Sequence, residues 1–126
     1  MFNGLENLPV LRDYKRKRIS SYDRSGGNKD YITVASGKTA VLGEIEGAGC
    51  IKHIWVTIRS SEEWYLRKLV LRMYWDGEKH PSVEVPIGDF FGTSFGENLY
   101  QALPMGVTEN GGYCLFPMPF ELILRE

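Results

Sequence analysis

Cysteine and histidine are scarce in this chain, with two of each in 126 residues. Cys50 and Cys114 stand far apart, without a Cys-x-x-Cys pair or a neighbouring histidine at ligand spacing, which argues against a zinc site or redox motif and suggests two buried thiols. No metal or other cofactor is expected. Neither His53 nor His80 has a serine or cysteine and an acid around it in a nucleophile arrangement, so a Ser or Cys hydrolase is disfavoured. His53, next to Trp55, reads as a packing residue on a strand face. A Gly-x-Gly-x-x-Gly run and a P-loop are both missing, leaving no nucleotide fingerprint. Apolar runs stay short of the roughly 18 residues that a membrane helix requires, and Met1 to Glu6 do not form a charged region leading into an apolar one. A soluble, cytoplasmic chain without a membrane partner is the expectation. The net charge of −1 gives no bulk attraction for nucleic acid, and none is expected as a partner. Arg12, Lys15, Arg16, Lys17 and Arg18 form a local basic run that reads as a solvated arm.

Hydrophobic residues make up 43% of the chain and charged residues 25%, a balance that supports one globular domain rather than disorder. Residues 1–20 read as an N-terminal arm with a short helical turn around Leu5, Leu8 and Leu11, and residues 21–126 as a single domain. Tyr31-Ile32-Thr33-Val34 has strand character, and Ser36-Gly37-Lys38 would turn it back into Thr39 to Ile45 as a hairpin. From Cys50 to Arg59, Ile54, Val56 and Ile58 share one parity while His53, Trp55 and Thr57 share the other, as in a half-buried strand. Tyr65 to Trp75 fits helical spacing in part and period two in part, and the strand reading is favoured because Asp76-Gly77 then turns the chain into Ser82 to Ile87. Pro86 marks a strand end or edge. Gly88 to Gly96 reads as an irregular loop, followed by late strands at Tyr113–Phe116 and Glu121–Leu124. Short strands between Gly-rich turns predict an all-β antiparallel sandwich, and a single jelly roll suits the strand number best.

The densest polar stretch is Ser20 to Asp30, where charges of both signs and an amide surround the pair Gly26-Gly27. Such a turn can aim polar groups at a ligand, or it can be a connector held by its own side-chain to backbone bonds. Glycoside hydrolysis needs two carboxyl groups, about 5 Å apart for retention and roughly 6.5–9.5 Å for inversion, one of them kept protonated. Glu44, Glu46, Asp76, Glu84 and Asp89 fall near strand ends but form no pattern beyond that of solvated acids. Asp89 is distinctive because Gly88-Asp89-Phe90-Phe91-Gly92 joins a carboxylate to two rings that could stack a sugar or plug a core. Trp55, Trp64 and Trp75 read as core or interface residues.

Several segments taken in order carry a resemblance: Ser21 to Asp30, Glu46-Gly47-Ala48-Gly49 leading to His53-Ile54-Trp55, Leu69 to Gly77, Pro81 to Gly92, and Pro117-Met118-Pro119-Phe120. The series resembles the glycoside hydrolase family of α-D-fructofuranosidases and difructose dianhydride synthases, over about residues 5 to 120. The resemblance implies a retaining mechanism, a double jelly roll related to viral capsid folds, assembly as trimers or multiples of trimers, and active sites near protomer contacts. It aligns this chain with the N-terminal roll and implies that the catalytic glutamates belong to the C-terminal roll, so no catalytic residue is assigned here. Asp23, Arg24, Asn28, Asp30, Asp89, Phe90 and Phe91 match motifs that would shape a sugar pocket. After Phe120 the sequence departs from the family pattern into Glu121-Leu122-Ile123-Leu124-Arg125-Glu126. The resulting expectation is a self-assembling homo-oligomer without complete catalytic machinery, in which a second copy takes the place of the other roll; the alternative, with a carbohydrate as its ligand, is a protein that binds or hydrolyses fructosides or arabinosides as an oligomer or with a second roll supplied in trans.

Overall fold

The computed structural model describes residues 6–121 and the strand Ile123–Arg125. It divides into two units, Met1–Lys38 and Thr39–Glu126, and among the described residues every strand lies in the second. In the first unit, residues 6–9 form a turn and most of the rest is irregular. Gly4 and Leu5, where the arm's expected helical turn begins, lie outside the described residues.

The second unit is the antiparallel sandwich that the sequence predicts. One sheet orders β1 (Glu44–Glu46), β10 (Ile123–Arg125), β4 (Val70–Trp75) and β5 (Val83–Pro86) side by side. The other orders β3 (Ile54–Val56), β8 (Gly111–Cys114), β7 (Met105–Thr108) and β6 (Tyr100–Gln101), and a two-stranded ribbon joins β2 (Gly49–Ile51) to β9 (Met118–Phe120). All pairings are antiparallel, and β1 with β10, β2 with β9 and β3 with β8 are nested. Winding a single antiparallel ribbon into a sandwich produces this nesting.

Period-two alternation sets the core. Leu71 and Met73 of β4 point inward between exposed Val70 and Arg72, and Ile54 and Val56 of β3 pack against the same cluster. With Leu66, Ile87, Phe91, Val107 and Cys114 these residues join the two sheets through a small core. Asp76 and Gly77, at φ 48° and 77°, provide the left-handed pair that turns β4 toward β5. On the outer face, Arg72 lies directly across from Glu84 and its Nε donates to the carboxylate at 2.6 Å.

Several expectations need correction. Tyr31 to Val34 forms no strand and no hairpin with residues 39–45; its side chains stay exposed. Strand propensity acts through cross-strand neighbours, and among the described residues this segment has none. The stretch from Tyr65 is a strand only from Val70, since Tyr65–Lys68 (α1) makes a helical turn in which Trp64 O accepts from Arg67 N and Lys68 N. Of the expected strand Glu121–Leu124, Leu122 lies outside the described residues and pairing runs over Ile123–Arg125. Cys114 is buried but Cys50 is exposed, because a two-stranded ribbon leaves one face uncovered.

Candidate functional site

The turn in the first unit is closed by its own aspartates. Asp23 Oδ1 accepts from Ser25 N at 2.9 Å and from Ser25 Oγ at 2.6 Å, and Oδ2 accepts from Lys29 N at 3.2 Å. Asp30 Oδ1 accepts from Asp23 N at 2.7 Å, and Asp30 O accepts from Ser21 Oγ at 2.9 Å. A Cβ on Gly27 would stand 2.7 Å from Asp23 Oδ2, so a larger residue there would displace the carboxylate that closes the turn. Arg24 does not pair with Asp23. Its guanidinium lies 5.9 Å from the Tyr22 ring centroid, and Lys29 Nζ lies 5.7 Å from that of Tyr31. Asn28 sits at φ 59°, a left-handed position that asparagine tolerates.

The hydrogen bonds from Ser25, first its hydroxyl and then its amide, hold the Asp23 carboxyl below its ordinary value of 3.8. A depressed carboxyl contributes its bonds fully above the ordinary value and loses them as pH falls through the lower, folded one. The amide resonances of Ser25 and Lys29 are therefore expected to titrate together with a midpoint below 3.8, and Gly27→Ala to abolish that shared transition. A midpoint at the ordinary value would contradict this reading.

In the second unit, Asp89 and Phe90 belong to the short turn α2 (Ile87–Phe90), and Phe91 follows it. Phe91 is buried in the core, and Phe90 packs against it edge to face, with ring centroids 5.0 Å apart. Tyr100 Oη donates to Phe91 O at 2.5 Å. Asp89 forms an ion pair with Arg67 of α1. Of the other acids considered, Glu84 is paired with Arg72, Asp76 Oδ1 accepts from Glu121 N at 2.8 Å, and Glu44 and Glu46 are exposed on β1.

The Asp89–Arg67 pair leads to a feature that sequence reasoning missed. The Arg67 guanidinium stands 5.1 Å from the Phe95 ring centroid, and Phe95 meets Trp64 in a T-shaped contact at 5.8 Å. Both rings are open to solvent, Trp64 at 50% and Phe95 at 61% exposure. They line a cleft of about 450 Å³ together with Arg59, Glu63, Tyr65 and Glu97. Trp64 occupies left-handed backbone at φ 62°, and so does Ser94 at φ 58°, next to Phe95. Side chains other than glycine, asparagine or aspartate seldom adopt that conformation, and strained positions of this kind cluster at binding sites. Buried Thr93 holds the Phe95 loop in place: its hydroxyl donates to Gly96 O and accepts from Asn98 N.

Tyr65 Oη donates to the Glu97 carboxylate. Burial first, and the Glu97 bond second, push the Tyr65 hydroxyl up to about 12. Its contribution to stability is complete below the ordinary value of 10 and is lost as pH rises toward 12. An alkaline absorbance titration is expected to show one tyrosine ionising near 12. Glu97→Gln should bring it only part of the way back, because burial is the larger cause.

Of the residues expected to shape a pocket, the structure therefore gathers Asp23, Arg24, Asn28 and Asp30 in the first unit's turn and Asp89, Phe90 and Phe91 at α2. Trp75 packs against the core, whereas Trp55 is half exposed on β3 beside exposed His53. Among the described residues no group of histidine, cysteine and acidic side chains is placed to hold a metal, and no helix is long and apolar enough to cross a membrane.

Compared with known protein families, the chain matches the one described as GH172 domain-like over residues 26–123. That span includes Asn28, Asp30 and the whole Asp89 loop, and begins after Asp23 and Arg24. No curated protein matches the chain.

Proposed function

Because the chain belongs to the GH172 domain-like family, and so is related to glycoside hydrolases, we propose that it acts as a self-associating, carbohydrate-binding β-sandwich. The observation that carries the association is the state of the first unit. None of residues 6–38 is buried, although Leu8, Val10, Leu11, Tyr14, Ile19, Tyr31 and Ile32 are apolar and Leu11 is 98% exposed. Covering a leucine or isoleucine side chain is worth about 1.5–3 kcal/mol, so a stretch of such residues gains substantially from a second surface. A further copy of the same chain supplies that surface in a closed homo-oligomer, and the motif resemblance favours a trimer or a multiple of it.

Family kinship supports a carbohydrate ligand. Hydrolysis would need one carboxyl shielded enough to keep its proton. The described carboxylates are exposed except those of half-buried Asp23, whose oxygens already accept hydrogen bonds from Ser25 and Lys29, and of Asp89, which is paired with the Arg67 cation. The proposed role is thus binding, with any catalytic pair contributed from elsewhere. The test joins calorimetry with fructo- and arabino-oligosaccharides to turnover of p-nitrophenyl fructofuranoside and arabinofuranoside on the same sample. Saturable binding without turnover is the expected result. Turnover by this chain alone would contradict the division of roles, and turnover gained on adding a second chain would assign the carboxylates to that chain.

A further inference from the structure

We infer that the cleft between Trp64 and Phe95 is a sugar subsite that takes one neutral sugar ring, an inference that rests on the carbohydrate-binding reading above. Sugars present C–H faces to aromatic rings and hydroxyl edges to a few fixed polar groups. The cleft has both elements. A T-shaped pair cannot cover both faces of both rings, and Trp64 and Phe95 remain at least half exposed. Beside them stand Arg59, a donor, and Glu63, an acceptor, neither with a hydrogen bond or ion pair among the described residues. One carboxylate and one guanidinium suit a pair of neighbouring hydroxyls. Glu97 is held in place by Tyr65 and has acceptor capacity left for a third hydroxyl.

Aromatic rings with carboxylates also attract cations, but here those cations are already internal. Arg67 lies over Phe95, and Lys68 is paired with Glu62 at the cleft's edge. An acidic sugar would face Glu63 and Glu97 against Arg59 alone, so the charge balance selects a neutral ligand. The left-handed Trp64 fits this assignment. Backbone strain is retained there while the ring stays half in solvent, so the core gains little from it. Asp89 acquires a role as a positioning residue, since its ion pair holds the guanidinium that lies over Phe95.

Calorimetry on the full chain tests the assignment, with an inulin-type oligosaccharide and an arabino-oligosaccharide as probes and with choline and oligogalacturonate as controls. Trp64→Gly is expected to weaken saccharide binding by about ten-fold or more, without lowering the melting temperature, because glycine accepts the left-handed position freely. Glu63→Gln, at an exposed carboxylate, should weaken binding without affecting the fold and carries the test on its own if Trp64→Gly misfolds. Wild-type binding that neither variant alters would overturn the subsite and leave the carbohydrate reading intact. Failure of the wild type to bind any saccharide would overturn that reading itself. Binding of choline or oligogalacturonate as tight as that of the neutral probes would overturn the choice of ligand.

Discussion

Gly88→Ala is expected to destabilise the protein by about 1–3 kcal/mol and to weaken saccharide binding as well. An added Cβ would stand 2.3 Å from Ser94 O and 2.9 Å from Leu66 Cβ. Neither neighbour is the free end of a flexible side chain. Ser94 O belongs to the loop that carries Phe95, and Leu66 is a core residue of α1, two positions after Trp64. Gly88 O also accepts from Thr93 N at 2.8 Å and from Ser94 N at 3.3 Å, which ties that loop to α2. The methyl group would therefore push apart the two walls of the cleft while it strains the core. Urea unfolding measures the first effect and calorimetry the second. A variant of unchanged stability would mean that the close packing of α1, α2 and the loop is not required.

Met73→Ala is expected to have the larger effect on stability alone, a loss of about 2–5 kcal/mol. Met73 is 1% exposed and sits in β4 between the two sheets. Leu66, Leu71, Ile87, Phe91, Val107 and Cys114 share the buried cluster with it, so truncation leaves a cavity among packed side chains. Because single domains are only about 5–15 kcal/mol stable, such a loss would remove much of the margin. Met73→Leu nearly conserves volume and should cost less than about 1.5 kcal/mol. If both variants unfolded at the same urea concentration, volume at this position would not be what matters.

How far the sequence could be read depended on how local each feature was. Ile54 and Val56 on one parity and Leu71 and Met73 on another are local patterns, and they predict the inward faces of β3 and β4 as observed. The turn at Asp76-Gly77 was equally legible, because its chemistry lies within two residues. Tyr31 to Val34 has the same local character as a strand, but no strand among the described residues pairs with it. The connector reading of Ser20 to Asp30 rests on bonds spanning up to nine residues, close enough to be weighed from sequence. The Trp64–Phe95 pair is separated along the chain by four elements, α1, β4, β5 and α2, and depends on Trp64 adopting a conformation that no propensity favours. Nothing in the order of residues marks it, beyond an aromatic following Glu62-Glu63 and another in a glycine-rich loop.

Self-association is the central claim, and the mass of the assembly in solution tests it most directly. Light scattering on the full chain at high concentration is expected to give a defined multiple of the 14.4 kDa protomer. Leu8→Ser combined with Leu11→Ser should shift that mass downward without unfolding the sandwich, since both residues are exposed within the chain. A mass of 14.4 kDa for the unaltered chain at every concentration would contradict the account.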